Sequence, residues 1–132
     1  MLTITTPQRD AMVATCVRAL PNEGCGLLLG SPDGTVSEIV ASDNIADSAR
    51  IYEIDPKVLL QTFRRADDEG KVVLGVFHSH THSEAYPSPT DVAQAPDPAW
   101  HYVLISLRQV ATTVRSYSIV NAEIVEEAIN II

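Results

Sequence analysis

The sequence predicts an α/β domain built on one sheet, and three observations lead there. Two apolar-periodic segments, each opened by a proline, read as helices. Two short runs, KVVLGVF and YVLISL, are almost wholly apolar and rich in branched residues, which suits strands covered on both faces. At 132 residues the chain can bury one core without disulfides, so residues 1–132 are read as a single domain.

The elements follow in order. Pro7 to Leu20 is the first helix: Thr6 can cap it, Pro7 suits its first turn, and Val13, Cys16, Val17 and Leu20 recur at helical spacing. Pro21 and Asn22 end it. Cys25 to Gly30 is a strand-sized apolar run stopped by SPDG, and Thr35 to Ala41 returns as the second arm of a hairpin. Residues 42–50 read as a polar loop. Asp55 and Pro56 open a second helix, with Leu59, Phe63 and Ala66 on one face and Gly70 to stop it. Val72 to Phe77 and Tyr102 to Leu107 are the central strands, and the proline-containing stretch 81–99 between them has room for a loop and a short helix. Thr112 to Val120 is a weaker strand. The tail, AEIVEEAINII, fits a helix through Ile124, Val125, Ala128 and Ile129, while Ile129 and Ile131 alternate like a strand; pattern alone leaves it open.

Composition narrows the function. A net charge of −8 would repel a polyanionic backbone, since nucleic-acid binding draws its affinity from Lys and Arg at phosphates, so no nucleic-acid partner is expected. No apolar run approaches the roughly 20 residues of a membrane span, and no membrane partner is expected. MLTITTPQRDAM has no basic start followed by an apolar stretch, so a cytoplasmic location is expected. The two cysteines, Cys16 and Cys25, are too few and too irregularly placed for a disulfide framework or a CxxC knuckle, and both are read as reduced. Oligomeric state is not legible.

Chemistry concentrates in GVFHSHTHSEAYPSPTD. If the strand from Val72 runs on to His80, its side chains alternate: His78 and His80 project to one side and Ser79 to the other. Two imidazoles then face one point, and Asp91, carried back by the following loop, is the natural third ligand for zinc, which takes imidazole and carboxylate donors and keeps a fourth position open in catalytic sites. Ser88, Pro89 and Asp91 also make a helix start in their own right, with Ser88 as cap; both roles can hold together. His82 falls after the strand has ended and is read as a loop residue. His101, beside Trp100, is read as structural or superficial. Cys25 is a second-rank ligand, more in character as a small buried apolar residue.

Written as a pattern, these residues form HSHx7SxxD, which resembles the signature of the JAMM (MPN-plus) metalloprotease family. The likeness extends through NEGCGLLLG, YEIDP, GVFHSH, YPSPTD and YVLISL, across most of the chain, and is similar to the short stand-alone bacterial members, the peptidases that release cysteine from the C terminus of a ubiquitin-like sulfur-carrier protein. The resemblance implies a curved mixed β-sheet flanked by helices, of the cytidine-deaminase-like type, with a final strand from the tail. It also implies Zn2+ held by His78, His80 and Asp91. Glu23 would be the general base, and Ser88 the donor to the oxyanion. Composition could not have picked Glu23 from 17 acidic residues. Many relatives carry proline directly after HSH; Thr81 and His82 stand there here, which leaves the ligands intact but bears on the groove and the preferred C-terminal residue. The expected substrate is the glycine-ended tail of a ubiquitin-like sulfur carrier. Two rival readings are a zinc-binding interaction module that cuts nothing and a deubiquitinase-like peptidase with another substrate.

Overall fold

The computed structural model describes residues Met1–Ile132. Eight strands and three helices run in the order β1 (Leu2–Ile4), α1 (Thr6–Ala19), β2 (Cys25–Gly30), β3 (Val36–Ser42), α2 (Pro56–Glu69), β4 (Val72–His80), α3 (Pro89–Ala93), β5 (His101–Ser106), β6 (Thr113–Val120), β7 (Glu123–Glu127) and β8 (Ile129–Ile131). Six strands form a mixed sheet ordered β3-β2-β4-β5-β6-β7, in which only β4 and β5 pair in parallel; β1 and β8 form a separate parallel pair. The expected α/β architecture with one mixed sheet and flanking helices is therefore the observed one. No helix is long and apolar enough to cross a membrane.

Local chemistry sets the helix ends. The α1 cap is Thr5, one residue earlier than the sequence suggests, because Thr5 has glutamine three positions on: Thr5 Oγ1 accepts from Gln8 N while Gln8 Oε1 accepts from Thr5 N. Of its apolar stripe, Met12 and Cys16 are buried but Val17 and Leu20 remain about half exposed, at 49% and 47%. The second helix is as expected, capped by Asp55 accepting from Lys57 N and ended by Gly70 at φ 66°, a left-handed conformation that glycine adopts without a Cβ clash.

The core lies in two layers, one on each face of the sheet. Leu2, Ile4, Met12, Cys16, Leu28 and Phe77 fill the α1 side, and Leu27, Leu29, Ala66, Val76, Tyr102 and Leu104 the α2 side. Along β4 the pairing with β2 shifts by one residue, since Leu28 faces Gly75 and Leu29 faces Val73. Beyond that bulge alternation is regular: Val76, His78 and His80 share the α2 side, and Phe77 and Ser79 the α1 side.

The tail is strand. Asn121 and Ala122, at φ 51° and 64°, form a two-residue turn that sets Val120 opposite Glu123, and β8 then pairs Ile129 with Leu2 and Ile131 with Ile4. A helix there would leave the edge of β6 unpaired and β1 without its β8 partner.

Candidate metal and catalytic site

The site stands at the C-terminal end of β4. His78 and His80 project together from the strand, and α3, begun by Ser88, brings Asp91 to meet them. Separations are 3.3 Å between the two Nε2 atoms, 3.2 Å from His78 Nε2 to Asp91 Oδ2 and 3.0 Å from His80 Nε2 to the same oxygen. These three residues form a group able to hold a metal ion. Asp91 has its second expected role as well: Ser88 Oγ accepts from Asp91 N at 3.1 Å, and Ser88 N donates to Asp91 Oδ2 at 2.9 Å, a reciprocal cap that fixes the carboxylate.

Proton bookkeeping tests whether a cation fits. His80 Nδ1 lies 2.9 Å from the Glu84 carbonyl, which can only accept, so Nδ1 carries the hydrogen. In neutral His80 the Nε2 atom is then a bare lone pair facing the lone pairs of Asp91 Oδ2. Acceptors do not face each other at 3.0 Å without positive charge between or upon them. Burial opposes the His80 imidazolium, but the hydrogen bonds to Asp91 and Glu84 outweigh it and hold its pKa above the usual histidine value. At His78 burial dominates and the pKa is lowered. Asp91, although burial favours its neutral form, is held well below the usual carboxylate range by hydrogen bonds with both histidines. The cluster thus calls for positive charge, which an imidazolium proton or a bound ion supplies, and it fits an ion: ligand bonds of about 2.0–2.1 Å in a tetrahedron imply donor separations near 3.3 Å, close to those found. Both buried side-chain polar atoms without a hydrogen-bond partner, Glu23 Oε1 and His78 Nδ1, are also here. Such orphans are rare in native interiors and mark a site completed by something it binds.

Glu23 is reached through tertiary contacts. Its residue precedes β2, which pairs antiparallel with β4 so that Cys25 stands opposite His78. Ser79, on the far side of β4, accepts from Gly24 N at 2.8 Å through Oγ, and Ser79 N donates to the Gly24 carbonyl at 3.0 Å. A Cβ on Gly24 would come within 2.6 Å of Cys16 Cα, so glycine lets α1 press the Glu23 turn against the sheet. The outcome is a carboxylate 3% exposed, on the wall of a cleft of about 470 Å³ shared with His80 and Ser88. Burial pushes its pKa up to about 8, with His80 pulling down and Asp91 pushing up.

Other candidates fall outside the cluster. Cys25 is buried, with its Sγ directed at the Ser42 and Asp43 carbonyls, and Cys16 and Cys25 are both free thiols pushed up to about 12 by burial. His101 Nδ1 pairs with Glu127 Oε1 at 2.8 Å. His82 is exposed beyond the strand end, yet it borders the same cleft. Two participants were not singled out by the sequence. Tyr52 stacks on the His78 ring with centroids 4.2 Å apart. Asn44 donates through Nδ2 to the carbonyls of Glu23, Ser48 and Ile51, folding the 44–53 loop beside the base. For Tyr52 the only signal was its place in YEIDP, and for Asn44 there was none.

The family described as prokaryotic homologs of the JAB domain matches residues 5–120. The chain belongs to that family. It is 39% identical over 126 residues to the CysO-cysteine peptidase of Mycobacterium tuberculosis, a match covering 93% of this chain and 86% of the relative. It is 34% identical over 88 residues to the desampylase of Haloferax volcanii, covering 65% of this chain and 63% of that one. With relatives so named, this JAB-family chain is a hydrolase. A solution structure from Desulfitobacterium hafniense superposes with a TM-score of 0.91 at 36% identity, over 99% of this chain and 92% of the other. A JAB1/MPN domain protein from Archaeoglobus fulgidus, at TM-score 0.66 and 16% identity over 100% of this chain and 97% of that one, shares the fold.

Proposed function

We propose that residues 1–132 act as a zinc metallopeptidase domain that hydrolyses the peptide or isopeptide bond after the C-terminal glycines of a ubiquitin-like protein, releasing cysteine from a sulfur-carrier adduct. The observation that carries this reading is the convergence of His78, His80 and Asp91 beside a buried, unpartnered Glu23 carboxylate on one open cleft. The name of the Mycobacterium tuberculosis relative supports the substrate, and the Haloferax volcanii desampylase supports the wider class.

His78 and His80 through Nε2, and Asp91 through Oδ2, would hold the ion. Zinc so held supplies Lewis acidity and brings the pKa of water down to about 7. The residues do the rest. Glu23 Oε1, with no competing hydrogen bond, takes the proton of the attacking water and passes it to the departing amine. Burial raises the proton affinity of this carboxylate, so it takes the proton from water more readily than an exposed glutamate would. Ser88 Oγ spends a lone pair on Asp91 N, so its hydrogen remains free to donate to the developing oxyanion. The Glu84 carbonyl locks the His80 tautomer and Tyr52 holds the His78 ring. A glycine tail fits the approach because β3, an edge strand, brings Ser42 across Cys25 from His78 and offers backbone groups to an extended peptide.

The test is metal content and cleavage of a ubiquitin-like carrier bearing a C-terminal cysteine, for wild type and Glu23→Gln. Zinc retained and cleavage reduced by about 10²–10⁴-fold is the expected result. Unchanged cleavage would show the base to be misassigned, whereas zinc binding with no cleavage by wild type favours an interaction module.

A further inference from the structure

The cleft containing Glu23 and His80 has one Lys or Arg on its wall, Arg50, together with Thr81, His82 and Ser88. No acidic group lies within ion-pair distance of its guanidinium, and the guanidinium makes no hydrogen bond inside the protein. The backbone beneath it is held from several directions. Arg50 N donates to Ser48 Oγ at 3.0 Å, the Ser48 carbonyl accepts from Glu23 N at 2.9 Å, and Thr81 Oγ1 reaches the Ala49 carbonyl at 3.4 Å. The residue after HSH thus ties the exit of β4 to the Arg50 loop, a contact that a proline, lacking a hydroxyl, could not make. Thr81 Oγ1 also lies 2.8 Å from His82 Nδ1 and orients that ring on the same wall.

We infer that Arg50 is a specificity-determining residue that reads a free α-carboxylate on the leaving-group side of the scissile bond, so that the preferred substrate is a carrier extended by one amino acid through its α-amine rather than a carrier joined to a lysine side chain. The inference rests on the peptidase reading of the Glu23 cleft. Hydrolysis adds water oxygen to the carbonyl carbon, breaks the C–N bond and returns the proton to the amine. In an α-linked adduct the carboxylate is bonded to the carbon that bears this nitrogen, so it must sit beside the reacting centre. A lysine isopeptide presents four methylenes there and no charge.

Electrostatics demand a counter-charge. The cleft already holds Glu23 and Asp91 lies just behind it; a bound divalent ion no more than balances those two carboxylates, and the chain as a whole carries a net −8, so an incoming carboxylate brings the cleft an unbalanced negative charge. A guanidinium offsets this, is charged at every working pH and can grip both oxygens at once. Its freedom from internal partners leaves its donors available.

Zinc-loaded protein would be given two forms of a Gly-Gly-ended ubiquitin-like carrier extended by one cysteine, one ending in the carboxylate and one in the primary amide. The carboxylate form is expected to have the higher kcat/KM by about 10- to 100-fold, the range of a charge-assisted hydrogen bond. In Arg50→Gln the ratio falls to near one, and Arg50→Lys restores part of it. Calorimetric binding in a Glu23→Gln background, where the adduct stays intact, is expected to show the same preference and its loss on adding Arg50→Gln; an unchanged Tm excludes misfolding as the cause. An Arg50→Gln ratio equal to that of wild type overturns the inference, as does a wild type that cuts both forms equally. A zinc-bound wild type that cuts neither refutes the peptidase reading itself and this inference with it.

Discussion

Glu23 and Ser79 show how much of the site depends on single side chains. Burial raises the Glu23 pKa from the usual 4.5 to about 8, so between those values the folded chain keeps a proton that the unfolded chain releases. Its contribution to stability is complete below pH 4.5 and lost as pH rises through 8. Glu23→Gln, uncharged throughout, is therefore expected to gain in Tm over wild type as pH climbs from about 5 to 8.5 in the presence of chelator. A Tm difference that does not change with pH would contradict that burial. Ser79→Ala leaves the buried Gly24 N–H without its acceptor, at about 1–3 kcal/mol, and slackens the turn that aims Glu23. The expected signature is lower kcat at unchanged zinc stoichiometry; a full kcat would mean the turn is held by other contacts. Strand alternation alone makes the shared facing of His78 and His80 legible in the sequence. Glu23 is not legible that way, because what distinguishes it from the other acids is burial, and burial is created by β2 lying on β4 and α1 pressing on Gly24.

Among the elements, the ends carry the information. Asp55, Pro56 and Gly70 delimit α2 in the sequence as in the structure, since cap, first-turn proline and left-handed stop are all local. The α1 cap differs by one residue because the decision between Thr5 and Thr6 belonged to Gln8, whose side chain closes the box only onto Thr5. The β6–β7 turn is the least comfortable junction, with Ala122 at φ 64°, where an L-residue costs about 1–2 kcal/mol. Ala122→Gly removes that cost but loosens the unfolded chain by about 0.5–1 kcal/mol, so a net gain of about 0.5–1 kcal/mol is expected in chemical denaturation. Destabilisation would show that the turn relies on the alanine methyl.

For the molecule as a whole, the six-stranded sheet is the frame that brings residues 23, 78, 80 and 91 to one end of β4. An ion held by three folded-state ligands stabilises the native state by mass action, by about 2.7 kcal/mol at a hundredfold excess over Kd. Zinc is accordingly expected to raise the Tm of wild type and to raise that of Asp91→Asn far less, since the amide keeps the cap geometry but loses the charge. Equal shifts in both proteins would place the zinc elsewhere. Legible in the sequence are the periodic and terminal features: two proline-opened helices, the apolar central strands, and the HSH and SxxD spacing, all of which are written within a few residues of themselves. Long-range pairing settled what local pattern left open, making the tail strand as the family resemblance implied, and made Glu23 the buried acid with Asn44, Tyr52 and Ser79 bracing the site. Each of those outcomes depends on which distant backbone lies alongside, a choice made by the packing of two core layers against one sheet.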